Sequence, residues 1–120
     1  MRPIGIFDSG IGGLTVARAI ADRLPNAPMV YFGDTQHLPY GEKSPELIRQ
    51  YARKIAMHLK EKDCQAIVVA CNSASSNALE EIRNAVGAET PIIDVLSPVV
   101  DSIVNRFKGS RVGVIGTRAT

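Results

Sequence analysis

Apolar runs of strand length alternate along this chain with longer stretches whose apolar positions recur at helical spacing. That alternation is the sequence sign of βαβ units on a parallel sheet. Strands are expected at Ile4 to Phe7, Met29 to Phe32, Ala66 to Ala70, Ile92 to Val95 and Arg111 to Ile115. The fold class that follows is α/β, a three-layer parallel sheet flanked by helices. The first three strands each run into polar residues: Asp8-Ser9, Gly33-Asp34-Thr35 and Cys71-Asn72-Ser73. The carboxyl edge of an open α/β sheet is where ligands bind, so two aspartates and a thiol are expected to converge on one crevice.

The helices carry their own punctuation. Leu14, Ala17, Ile20, Ala21 and Leu24 make one stripe that stops at Pro25, which cannot continue a helix. Ser44, Pro45 and Glu46 read as N-cap, first helical residue and first-turn anion, ahead of a buried face of Leu47, Ile48, Tyr51, Ala52, Ile55 and Leu59. A third helix is expected from Ser75 to Val86, with Leu79, Ile82 and Val86 inward and Gly87 in a left-handed conformation after it. Ser97-Pro98 repeats the cap-and-proline pair before Val99, Val100, Ile103, Val104 and Phe107, with Gly109 ending that helix.

The last strand, Val112-Gly113-Val114-Ile115, is apolar enough to need cover on both faces, and no helix follows it. Residues 2–9 and 110–117 also share a pattern of apolar, Gly, apolar, apolar, turn residue and hydroxyl, which sets Ser9 on Thr117. If the match is a repeat, the chain holds one unit and the first strand of another.

The size, 120 residues, fits one domain with its own core, and 45% hydrophobic residues is ordinary for a globular protein. A formal charge of +2 with scattered basic residues calls for neither nucleic acid nor a membrane surface as partner. No apolar run reaches the roughly 20 residues of a membrane span, and the start has no signal-peptide pattern, so a cytoplasmic protein is expected. Cys64 and Cys71 lie at opposite ends of the third strand, roughly 20 Å apart at ~3.3 Å per residue, too far for a disulfide.

Cys71 is the leading candidate for chemistry. A strand ends there and a helix is about to begin, so backbone N–H groups and the helix dipole can draw its thiol toward the reactive thiolate. A small buried hydrophobe is the alternative; the polar run Asn72 to Ser76 favours chemistry. Asp8 before Ser9-Gly10 is balanced between capping and chemistry. Gly10-Ile11-Gly12-Gly13 lets backbone approach a phosphate or carboxylate but fits neither the dinucleotide fingerprint nor a P-loop. Pro39-Tyr40-Gly41 reads as a tight turn that could grip a small ligand. His37 is expected in solvent and His58 on a helix surface; neither has metal-ligand spacing, so no metal is expected.

Together, Phe7 to Val16, Gly33-Asp34-Thr35 with Pro39-Tyr40-Gly41, and Cys71-Asn72-Ser73-Ala74-Ser75 resemble the glutamate-acting branch of the cofactor-independent aspartate/glutamate racemase family. The resemblance runs over the whole chain. It implies the flavodoxin-like half of a two-domain fold, with residues 1–98 as the first α/β domain and 99–120 as the start of a second. It implies that Cys71 is one of two catalytic cysteines, that Asp8 assists it, and that Asp8, Ser9, Tyr40, Gly41, Asn72 and Ser73 bind glutamate. Ser73 stands where the family usually has threonine and keeps the hydroxyl. The implied chemistry interconverts L- and D-glutamate without cofactor and supplies D-glutamate for peptidoglycan.

The family's second cysteine, in a Cys-Thr-His motif, has no counterpart here, and Cys64 is at the wrong end of its strand to replace it. The chain therefore reads as the amino-terminal portion of such an enzyme, inactive alone unless two chains pair as a homodimer. Two other readings stay open: a non-catalytic glutamate-binding module, and a flavodoxin-like nucleotide binder with Gly10 to Gly13 under a phosphate and Asp34 on a ribose.

Overall fold

The apolar runs at Ile4, Met29, Ala66 and Ile92 all become strands in the computed structural model, which describes all 120 residues. β1 (Ile4–Asp8), β2 (Met29–Gly33), β3 (Ala66–Val69) and β4 (Ile92–Asp94) form one parallel sheet in the order β2-β1-β3-β4. Ile6 pairs with Tyr31 and Val68, and Phe7 with Phe32 and Val69. Because side chains alternate along a strand, Phe7, Ile67 and Val69 share one face while Ile6, Tyr31 and Val68 share the other.

The chain moves one way from β1 to β2 and back the other way to β3 and β4. Right-handed crossovers then put α1 (Leu14–Arg23) on one face and α2 (Pro45–Glu61) and α4 (Leu79–Val86) on the opposite one. α2 begins as its sequence demands, the Ser44 hydroxyl accepting from the Leu47 amide at 3.3 Å with Pro45 in the first turn. Ile48, Ala52, Ile55, Ala56 and Leu59 of α2, with Ile82 and Val86 of α4, close over Phe7, Ile67 and Val69 as the main core. Each large apolar side chain fully buried there contributes roughly 1.5–3 kcal/mol.

Five local expectations fail. On α1 only Val16, Ala17, Ile20 and Ala21 are half-buried, and Leu14 and Leu24 stay exposed, because no second helix lies beside α1 to cover the ends of its stripe. The third helix is two: α3 (Asn72–Asn77) starts directly after Cys71, and Ala78, at φ −131°, separates it from α4. Gly87 takes a positive φ of 83°, but with ψ 170° it is extended rather than left-handed helical.

At α5 (Ser97–Arg106) the cap is not Ser97: Asp94 accepts from the amides of Leu96 (3.0 Å) and Ser97 (2.8 Å), closing the helix start from three residues upstream. Finally, residues 111–115 form no strand. They pair with no strand of the sheet, and Val114 and Ile115 remain in solvent. No helix of the structure is long and apolar enough to cross a membrane.

Candidate active site

β1 and β3 are the central strands, and the direction of strand addition reverses between them, which opens a crevice beyond their carboxyl ends. The Ala70 amide donates to the Phe7 carbonyl at 2.8 Å, the last rung between the two strands. Asp8 and Cys71 follow that rung immediately, one on each side.

Asp8 is buried and accepts the Gly13 amide on Oδ2 at 2.8 Å. Gly13 is the N-cap residue of α1 and offers no side chain of its own, so the aspartate supplies that capping bond. The fit requires glycine: a Cβ at Gly13 would stand 2.7 Å from Asp8 Cβ and 3.0 Å from Ala70 Cβ. All the hydrogen bonds of the Asp8 side chain fall on Oδ2. Oδ1 is thus left free in the cleft wall.

Cys71 is 5% exposed and is itself the N-cap of α3, its extended backbone (φ −89°, ψ 122°) turning Sγ to accept from the Ala74 amide at 3.4 Å. Ser73, buried beside it, has Oγ 3.4 Å from Thr117 Oγ1.

Tyr40 and Gly41 open a short 3-10 turn, Tyr40–Glu42, that follows the cis Leu38–Pro39 bond. Tyr40 is 1% exposed and donates its hydroxyl to Asp34 Oδ2 at 2.5 Å. Burial first, then the hydrogen bond to Asp34 and its charge, push that phenol well above the ordinary range. Two expectations are corrected here. Asp34 does not reach the crevice, because its carboxylate is taken by Tyr40 and by His37 Nδ1 at 2.8 Å. His37 is no solvated loop residue but half-buried, its ring stacked on Tyr51 with centroids 4.0 Å apart.

Asp8, Ser9, Tyr40, Gly41, Cys71, Asn72 and Ser73 line one cleft of about 830 Å³, open to solvent. Thr117 and Thr120 line it too, and sequence reasoning missed both. The chain end folds back to bring them there, the Ala119 amide donating to the Gly41 carbonyl (2.9 Å) and Asn77 Nδ2 to the Ala119 carbonyl (2.5 Å). The signal was present: in the match of residues 2–9 to 110–117, Thr117 stands where Ser9 does.

No lysine, arginine or histidine lines the cleft. A carboxylate ligand would meet neutral donors, namely hydroxyls and backbone amides, beside one free carboxylate oxygen and one thiol. Nothing there matches the charge of a polyphosphate, and Asp34 is too enclosed to hold a ribose. Cys64 lies elsewhere, its sulfur 3.1 Å from where a Gly5 Cβ would be, at the amino end of the sheet. Burial, then the charge of Asp63, raises its thiol, against a smaller opposing effect of Arg2.

Residues 14–120 match the Asp/Glu/Hydantoin racemase family. The glutamate racemase of Acidothermus cellulolyticus is 47% identical over 118 residues, which are 98% of this chain and 44% of that protein. That of Chlorobaculum tepidum is 48% identical, over 98% of this chain and 43% of its own length. Among solved structures, glutamate racemase from Francisella tularensis in complex with D-glutamate superposes with a TM-score of 0.92 at 42% identity, covering 99% of this chain and 44% of that one. The Thermus thermophilus enzyme in complex with β-chloro-D-alanine gives 0.83 at 44% identity, with 99% and 44% covered. The chain spans less than half the length of the curated relatives it matches.

Proposed function

The chain belongs to the aspartate/glutamate/hydantoin racemase family, and from that premise we propose that its cleft is one half of a glutamate racemase active site. The observation that carries the proposal is the pairing of Cys71 and Asp8 at the ends of adjacent central strands, in a cleft rich in hydroxyls and bare of cationic side chains. Its resemblance to the D-glutamate complex from Francisella supports the same ligand class.

In the proposed reaction the Cys71 thiolate takes the α-proton of glutamate. The Cα–H bond breaks, an S–H bond forms, and the electron pair spreads into the α-carboxylate. Backbone amides near Ser9, Gly41 and Asn72, with the hydroxyls of Ser73 and Thr117, hold that carboxylate and offset the charge it gains, usually the largest catalytic contribution. Asp8 assists the proton transfer through its free Oδ1. A proton returned from the opposite face inverts the centre, and no cofactor is needed.

The group that returns the proton is proposed to lie in the part of the relatives' length that this chain does not match. On that basis residues 1–98 are the first α/β domain, residues 99–120 begin a second, and the 120-residue chain alone does not racemise unless a partner chain supplies the second acid. The D-glutamate made by the whole enzyme would serve peptidoglycan synthesis.

Ligand-dependent melting tests the substrate class. D- or L-glutamate at 100 times its dissociation constant is expected to add about 2.7 kcal/mol of stability. Aspartate is expected to do less, and nucleotides nothing. A response to nucleotides alone overturns the proposal.

A further inference from the structure

We propose that Tyr31 is a positioning residue for Asp8, holding the carboxylate and the glycine loop beside it as one unit. The inference rests on the racemase reading for its catalytic consequence, while its geometry stands apart from that reading.

Register places the two together. Asp8 is paired across the ladder with Gly33, and Tyr31 lies two residues before Gly33 on the same face. A diagonal neighbour at that offset is within reach only of a long or aromatic side chain. Gly33 leaves the path clear: a Cβ there would stand 2.4 Å from the Gly10 carbonyl oxygen and 3.1 Å from the Tyr31 ring. The phenol therefore leans over Gly33, donates to the Gly10 carbonyl at 2.9 Å, and comes within 3.4 Å of Asp8 Oδ2.

A closed circuit results. Asp8 Oδ2 takes the Gly13 amide, Gly10 lies at the other end of that loop, and Tyr31 ties Gly10 back to Asp8. Oδ2 takes the Gly13 amide and lies against the phenol oxygen, whose one proton goes to Gly10, so rotation of the carboxylate is restrained and Oδ1 keeps its place in the cleft. Burial, followed by the charge of Asp8 and the hydrogen bond to it, pushes the Tyr31 phenol up to about 12. The proton the circuit needs is thus present throughout the neutral range.

The test compares the full chain with its Tyr31→Phe variant, which keeps the ring and removes only the hydroxyl. Hydrogen exchange of the Gly13 amide, read by NMR, is expected to be at least tenfold faster in the variant at unchanged melting temperature. Unchanged Gly13 exchange overturns the proposal whether or not the chain acts on glutamate.

Loss of the α-proton of glutamate in deuterated water supplies the catalytic arm. Tyr31→Phe is expected to lower the maximal rate about tenfold and leave the half-saturating glutamate concentration where it was. In an Asp8→Asn background the same change is expected to have no further effect. A shift in half-saturation alone, or full additivity with Asp8→Asn, overturns it. If the parent chain exchanges no α-proton, the racemase reading fails and the Gly13 amide alone decides the role of Tyr31.

Discussion

The two faces of the sheet are built to different standards. Under α2 and α4, Phe7, Ile67 and Val69 meet Ile48, Leu59 and Ile82 with no more than 1% of any of them exposed. On the side of α1 no helical residue is buried, nor is any on α5, where Val99, Val100 and Val104 are all about half exposed. The difference teaches where the energy of this fold resides: one face specifies the structure, and the other, with the cleft at its edge, is free to serve a ligand.

Core truncation should separate the faces most sharply. Ile82→Ala is expected to cost about 2–5 kcal/mol in urea unfolding, whereas Val104→Ala, on exposed α5, should stay within about 0.5 kcal/mol. Equal losses would erase the comparison. Next in size, Gly13→Ala pushes a methyl group against Asp8 and Ala70 and should cost about 1–3 kcal/mol, the usual range for overpacking. Tyr40→Phe falls in a similar range, about 1–3 kcal/mol, because it strips a hydrogen bond from the buried Asp34 carboxylate. Both are read from the same unfolding curves.

The smallest effect lies at Asp94, where loss of the cap should cost about 1 kcal/mol in Asp94→Ala. Burial alone would raise its carboxyl, but the amide and hydroxyl of Ser97 and the Leu96 amide outweigh that and hold it below the ordinary value. A depressed folded-state value means the contribution is complete above the unfolded carboxylate value and is lost as pH falls through the folded one. Asp94→Asn should flatten that part of the acid limb, and an unchanged limb would refute the assignment.

Features set by neighbouring residues were legible in sequence. Ser44-Pro45-Glu46 announces α2, and the strand ends at Asp8 and Cys71 announce the cleft, since each needs only its own segment to be read. What could not be read depends on distant partners. Asp34 resembles Asp8 in sequence, but the return of Tyr40 and His37 upon it takes it out of the cleft. Asp94 and Ser97 compete for one helix start, and only the bend after β4 decides between them. The run 111–115 has the composition of a strand without a neighbour to pair with, and the match to Ser9 singles out Thr117 without giving the fold-back onto Gly41 that carries it to the cleft.

The most direct test of the account is the α-proton signal of L- and D-glutamate in deuterated water with the full chain, its Cys71→Ser variant and its Cys64→Ala variant. Exchange is expected from one enantiomer without inversion, abolished by Cys71→Ser and retained by Cys64→Ala. Exchange that survives Cys71→Ser, or that no form of the chain supports, would contradict it.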